Sequence, residues 1–138
     1  MPEADFRHTL TPHELEELED LGERATFPAA ATIVAHGESS DRVLLVRGGR
    51  VRVIVRAPSG AEAELAERGA GELLGDVSGI DGQPRSASVV ALDEVGGVVV
   101  PLRAFRGFLM DHPRVAISLL ELVSRRLRES DARRVENG

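Results

Sequence analysis

The stretch Gly71–Ser88 reads G-E-L-L-G-D-V-S-G-I-D-G-Q-P-R-S-A-S, and alternating apolar segments flank it on both sides. Gly75, Gly79 and Gly82 follow the glycine that opens it, Asp76 stands next to Gly75, and a single arginine, Arg85, is followed at once by Ser-Ala-Ser. Gly75 can take positive φ, or let another group approach its backbone, without the penalty a Cβ would impose. Pro84 removes a donor and fixes the chain just ahead of Arg85. The amides of Ser86 and Ala87 then lie beside a guanidinium, with only small side chains near them. Fixed amides next to a planar cationic fork form an anion site suited to phosphate. Asp76 can accept from a sugar hydroxyl, and an acid for sugar with an arginine for phosphate points to a nucleotide. The bland alternative is an ordinary loop. Asp81-Gly82 is a turn pair, and a lone loop arginine is commonly a solvated charge or a surface ion pair.

At 138 residues, 42% of them hydrophobic, the chain fits one domain with its own core. There is no cysteine, which excludes disulfides, thiolate nucleophiles and Cys-ligated metals. No apolar run approaches the ~20 residues that span a bilayer, and the first nine residues lack an apolar signal core. A cytoplasmic location is therefore expected. The formal net charge is −6, and lysine is absent, so arginine and histidine are the only basic side chains. An acidic domain is a poor nucleic-acid binder by itself, so any contact with DNA is expected to come from another domain.

Leu10 to Gly22 carries a helix signal: Thr11 as N-cap, Pro12 at the first helical position and Glu14 to complete a capping box. Leu15, Leu18 and Leu21 recur at helical spacing against Glu16, Glu17, Glu19 and Asp20. From Thr26 to Pro101 the period becomes two, with turns at short intervals, which predicts an all-β sandwich or barrel. Strands are expected at Thr32–Val34, Val43–Val46, Val51–Val55, Ala61–Ala66, Ala87–Leu92 and Gly97–Val100. Gly48-Gly49 is expected to make a two-residue hairpin turn, with further turns at residues 57–60 and 93–94. Spacing and turns match an eight-stranded jelly roll of two sheets. Two helices are predicted to close the chain, Leu102–Asp111 and, after Pro113, one running to about Arg134. On the second, Ala116, Leu120, Val123, Leu127, Ser130 and Arg134 recur at steps of four and three, a coiled-coil seam that predicts a parallel homodimer. Leu119 and Leu122 are expected to pack back on the β-domain.

The pattern Gly75-Asp76-Val77-Ser78, then Pro84-Arg85-Ser86-Ala87, resembles the phosphate-binding cassette of the cyclic-nucleotide-binding domain family, G-E-L-A, a short spacer, then P-R-S/T-A. The run Ile33–Val53 resembles the family's early strands, and the likeness extends from about Leu10 to Val135. It implies a mainly β domain with flanking helices, an eight-stranded double-sheet jelly roll followed by a long C-terminal dimerisation helix. It implies that Gly75 allows the close turn, that Asp76 takes the ribose 2′-hydroxyl, and that Arg85 with the amides of Ser86 and Ala87 holds the cyclic phosphate. Two departures stand out: Asp76 is one methylene shorter than the family's Glu, and Gly79 replaces an apolar residue in a short helix. The long terminal helix is most similar to that of Crp/Fnr-type bacterial transcription regulators, whose helices pair and cover the nucleotide base. By that resemblance Ser130 is a base contact from the same subunit and Asp131 one from the partner, with Arg126 nearby. A carboxylate at Asp131 accepts from an adenine amino group and does not suit a guanine O6 acceptor, which favours cyclic AMP.

The expected division is a helix plus nucleotide-binding jelly roll and short helix over 1–112 and a dimerisation helix over 113–138, with the DNA-binding domain lying outside this chain. No enzyme is expected. His8, His13, His36 and His112 lack ligand-like spacing, so no metal or cofactor is expected. Ser78, Ser86 and Ser88 have no triad partners by motif. Glu72, Asp76 and Asp81 in one glycine loop read as turn formers rather than a hydrolytic carboxylate pair. Three functions compete: an allosteric cyclic-nucleotide sensor, a degenerate domain that binds no nucleotide and serves as a dimerisation or interaction module, and a sensor for another anion, such as a different nucleotide or a phosphorylated metabolite, held at the same Arg85 site.

Overall fold

The computed structural model describes residues 5–35, 41–56, 59–75 and 87–137, with backbone alone for Arg56, Leu65 and 129–137. The first helix, α1 (Pro12–Asp20), starts as its sequence dictates. The Thr11 hydroxyl accepts from the Glu14 amide at 3.1 Å, and the Glu14 carboxylate accepts from the Thr11 amide at 2.8 Å, closing a capping box. Leu18 is fully buried, but Leu21, placed on the same face by spacing, caps the helix and stays exposed.

Eight strands follow among the described residues: β1 (Glu23–Phe27), β2 (Thr32–Val34), β3 (Arg42–Gly48), β4 (Val51–Arg56), β5 (Glu62–Arg68), β6 (Leu73–Leu74), β7 (Ser88–Ala91) and β8 (Val95–Pro101). They form two antiparallel four-stranded sheets, in the orders β1-β8-β3-β6 and β2-β7-β4-β5. Two helices complete the chain, α2 (Leu102–Asp111) and α3 (Pro113–Asn137). This is the double-sheet jelly roll with flanking helices that the sequence predicted.

The apolar run in β3 has a clear cause. Val43 and Leu45 point to a core beneath the helices, while Leu44 and Val46 point into the space between the sheets. A strand buried on both faces reads as continuous rather than alternating hydrophobicity. The same division splits Leu73 from Leu74 and Val98 and Val100 from Val95. The helix-side core contains Phe6, Leu18, Phe105, Phe108, Val115, Leu119 and Leu122, so Leu119 and Leu122 do pack back on the β-domain.

The expected hairpin at Gly48-Gly49 is not formed. Gly48 pairs with Gly96 in one sheet, whereas Val51 pairs with Arg68 and Ala91 in the other. The turn is a corner that switches sheets. Gly49 sits at φ 88°, where a Cβ would overlap the Glu94 carbonyl. The Arg50 amide donates to Asp93 Oδ1 at 2.8 Å, and the Leu92 amide donates to the Arg50 carbonyl at 2.8 Å. Two sheet-switching corners, 48–50 and 92–94, are thereby locked together. The paired hairpin in this region is β4–β5, with Arg56 opposite Glu62.

Candidate functional site

Residues 75–87 connect a strand of one sheet to a strand of the other. Their upstream anchor is β6, where Leu74 pairs with Leu44; their downstream anchor is β7, where Ser88 pairs with Ile54. Gly75 follows β6 directly at φ 86°, the left-handed region that its lack of a Cβ makes accessible. Ala87 is half-buried immediately before β7. Of the other cassette residues singled out by sequence, Asp76, Val77, Ser78, Arg85 and Ser86 lie outside the described residues. The side chains of Ser130 and Asp131 lie outside them as well.

The segment leading into the loop is held on several sides. The Gly71 amide donates to the Val46 carbonyl at 2.8 Å, and the Val46 amide to the Glu72 carbonyl at 2.9 Å, which binds 71–72 to β3. Arg126 Nη2 of α3 meets Glu72 Oε2 at 2.5 Å, with both side chains largely buried. Glu72, read from sequence as a turn former, is thus the partner of Arg126. A charge-assisted pair with little solvent around it is strong to break, because either partner left alone would be a desolvated charge. No local pattern announces it: the two residues are 54 positions apart. Residues 130 and 131 follow Arg126 by one turn of α3, about 6 Å along the axis. The pair therefore fixes where α3 lies relative to Glu72, three residues before Gly75.

The outer face of α3 differs from the expected seam. Ile117, Leu120 and Leu127 are 58%, 65% and 61% exposed. Ala116 is half-buried, and Val123 packs against the helix-side core, because the helix lies on the sheet with Val115, Leu119 and Leu122 inward. The open apolar stripe thus includes Ile117 in place of Ala116 and Val123. Among the described residues, no cluster of three His, Cys, Asp or Glu side chains is placed to hold a metal ion, and no helix is long and apolar enough to cross a membrane.

Residues 24–112 match the sequence model of the cyclic nucleotide-binding domain family. The chain belongs to that family. It is 34% identical over 105 residues to the CRP-like cAMP-activated global transcriptional regulator of Mycobacterium tuberculosis, an alignment covering 76% of this chain and 47% of that one. The crystal structure of the Thermus thermophilus catabolite activator protein matches with a TM-score of 0.85 at 32% identity, over 94% of this chain and 61% of that one. A cyclic nucleotide-binding domain from Methylobacillus flagellatus matches with a TM-score of 0.82, also at 32% identity, over 94% of this chain and 75% of that one. The chain spans about half the length of the curated regulators it matches.

Proposed function

We propose that this cyclic nucleotide-binding domain is the allosteric sensor of a transcription regulator, with cyclic AMP its favoured ligand. Arg85 and the amides of Ser86 and Ala87 hold the cyclic phosphate, and Gly75 allows the backbone to close on it. Asp76, in the strip Gly75-Asp76-Val77-Ser78, takes the ribose hydroxyl. Ser130 and the partner subunit's Asp131 read the base, with Arg126 beside them. The observation that carries this reading is the Glu72–Arg126 pair. It joins the strand leading into the phosphate loop to the helix that bears the base contacts, so closure on ligand and helix position are mechanically linked. A ligand shifts such an equilibrium only as far as it binds one arrangement better than the other.

The domain performs no reaction in this scheme, and a cytoplasmic location follows from the role. Residues 113–134 pair two copies along the stripe of Ile117, Leu120 and Leu127, and DNA is met through a domain outside this chain. Calorimetric titration with cyclic AMP and then cyclic GMP tests the reading. Saturable binding at one site per chain, with cyclic AMP preferred, supports it; micromolar affinity corresponds to about −8 kcal/mol. A flat trace with both nucleotides on folded protein overturns it in favour of an interaction module. Arg85→Ala is expected to weaken binding by about 3 kcal/mol, on the order of 100-fold, because it leaves a partly desolvated phosphate uncompensated. Binding within a factor of two of the parent would remove Arg85 from the site.

A further inference from the structure

Residues 5–10 precede α1 and reach two places that are remote from each other in sequence. At one end the Arg7 amide donates to the Gly71 carbonyl at 3.0 Å. The Asp5 carboxylate covers Gly71 so closely that a Cβ there would overlap it, and Gly71 sits at φ 93°. That carboxylate is itself held, accepting from the His8 amide at 3.0 Å and lying 2.6 Å from His8 Nδ1. At the other end the Thr9 carbonyl accepts from Arg114 Nη1 at 3.0 Å. The second guanidinium nitrogen of Arg114 pairs with Glu14, the carboxylate of the α1 capping box. Between the two ends Phe6 is fully buried, edge-on to Phe105 of α2 with ring centroids 6.2 Å apart.

We propose that residues 5–10 are a tether coupling the segment that leads into the 75–87 loop to the corner between α2 and α3. His112 forms that corner at φ −129° and ψ 72°, and its Nε2 lies 2.8 Å from Glu17 of α1. The corner, α1 and the tether are thus cross-linked through Arg114 and His112, and the tether ends on Gly71. Glu72, the next residue, is gripped by Arg126 further along the same helix. Residues 71–72 are therefore attached to α3 twice, directly through Arg126 and indirectly through Arg114 and the tether. Close-packed cores are not continuously deformable, and Phe6 fixes the tether's middle in such a core. Rotation of α3 about the corner must carry Gly71 with it or break one attachment. The coupling is a property of the free domain and holds whatever ligand the loop takes.

Amide hydrogen exchange on the whole chain without nucleotide tests this. Arg114 is more than half exposed, so Arg114→Gln is a surface change that leaves the core intact. It is expected to speed exchange of the Arg7 and Gly71 amides at least fivefold, although Arg114 touches neither. Because coupling is reciprocal, Asp5→Ala is expected to speed exchange at Val115 and Ala116, whose amides close on the His112 carbonyl. Changes in both directions support the tether. Changes confined to each variant's own neighbours, or transmitted in one direction alone, overturn it. Since no nucleotide is present, this outcome is independent of whether the cassette binds one.

Discussion

The two sheets share a strand count and an antiparallel pattern, yet they do different work. The β1-β8-β3-β6 sheet is covered twice, by the other sheet and by the helices, so β3 contributes Val43 and Leu45 to one core and Leu44 and Val46 to the other. Among the described residues, the β2-β7-β4-β5 sheet is covered once. Its rungs between β4 and β5 end in exposed ion pairs, Arg50 with Glu67 at 3.0 Å and Arg52 with Glu64 at 3.6 Å. Residues 75–87 join them, starting from the sheet that packs on the helices and ending on the other. The residues just before their upstream anchor contact α3 through Glu72 and Arg126, while their downstream anchor pairs with β4.

That asymmetry is most severely tested by core truncation. Leu45→Ala is expected to cost about 3 kcal/mol, since Leu45 is 1% exposed and packs among residues that cannot all collapse into the gap. Val53→Ala, on the singly covered sheet and only partly buried, is expected to cost about 1 kcal/mol. Chemical denaturation of both variants gives the comparison, and equal losses would mean that double coverage adds nothing.

Much of this division was readable in advance, for definite reasons. The unbroken apolar run at Val43–Val46 signals burial on both faces, and Thr11 with Glu14 marks the start of α1 to the residue. The family was legible because Gly75, Asp76 and the Pro84-Arg85-Ser86-Ala87 run carry its pattern in a short window. Other features left no local trace. Strand β6 is two residues long, too short for a period to show, and β1 (Glu23–Phe27) is largely exposed, without clean alternation. Gly48-Gly49 has the composition of a hairpin, because periodicity reports which face a residue takes and not which strand it neighbours. Phe6 stands alone among polar residues, and only its tertiary place in the helix-side core makes it an anchor. The Glu72–Arg126 pair spans sheet and helix, a distance that no spacing rule covers.

An intermediate effect concerns the α1 side of the doubly covered sheet. The Glu14 carboxyl is held below its ordinary value of 4.5, first by the Thr11 amide that donates to it and further by the Arg114 guanidinium, against the opposing effect of burial. A lowered folded value means that Glu14 contributes stability above the ordinary carboxylate value and loses it as pH falls through the folded one. Glu14→Gln is expected to lower stability by about 1 kcal/mol at pH 7, the size of a lost cap. The gap should close toward pH 3. Thermal unfolding of both proteins at the two pH values measures it, and a gap independent of pH would show that the ionised carboxylate is not what holds the cap.

The smallest effect is expected on the open face of the other sheet, and its smallness is the point. Glu67 is 46% exposed and Arg50 56% exposed, so water solvates each charge almost as well as the partner does. Arg52 is weaker still: its Nε, 3.6 Å from Glu64, makes no hydrogen bond. Exposed pairs of this kind contribute between zero and about 1 kcal/mol, and salt screens them. Glu67→Gln should therefore change stability by less than about 0.5 kcal/mol at low ionic strength and by nothing measurable at 1 M salt, where the Debye length is about 3 Å. These charges have a different use, since β5 is an edge strand and a row of acids at Glu62, Glu64 and Glu67 discourages pairing with another chain's edge. Replacing all three by threonine should leave thermal stability near the parent's while promoting concentration-dependent association, read by light scattering. A triple variant that stayed monodisperse but unfolded more easily would assign these residues to stability instead, and the contrast between the two sheets would lose its electrostatic half.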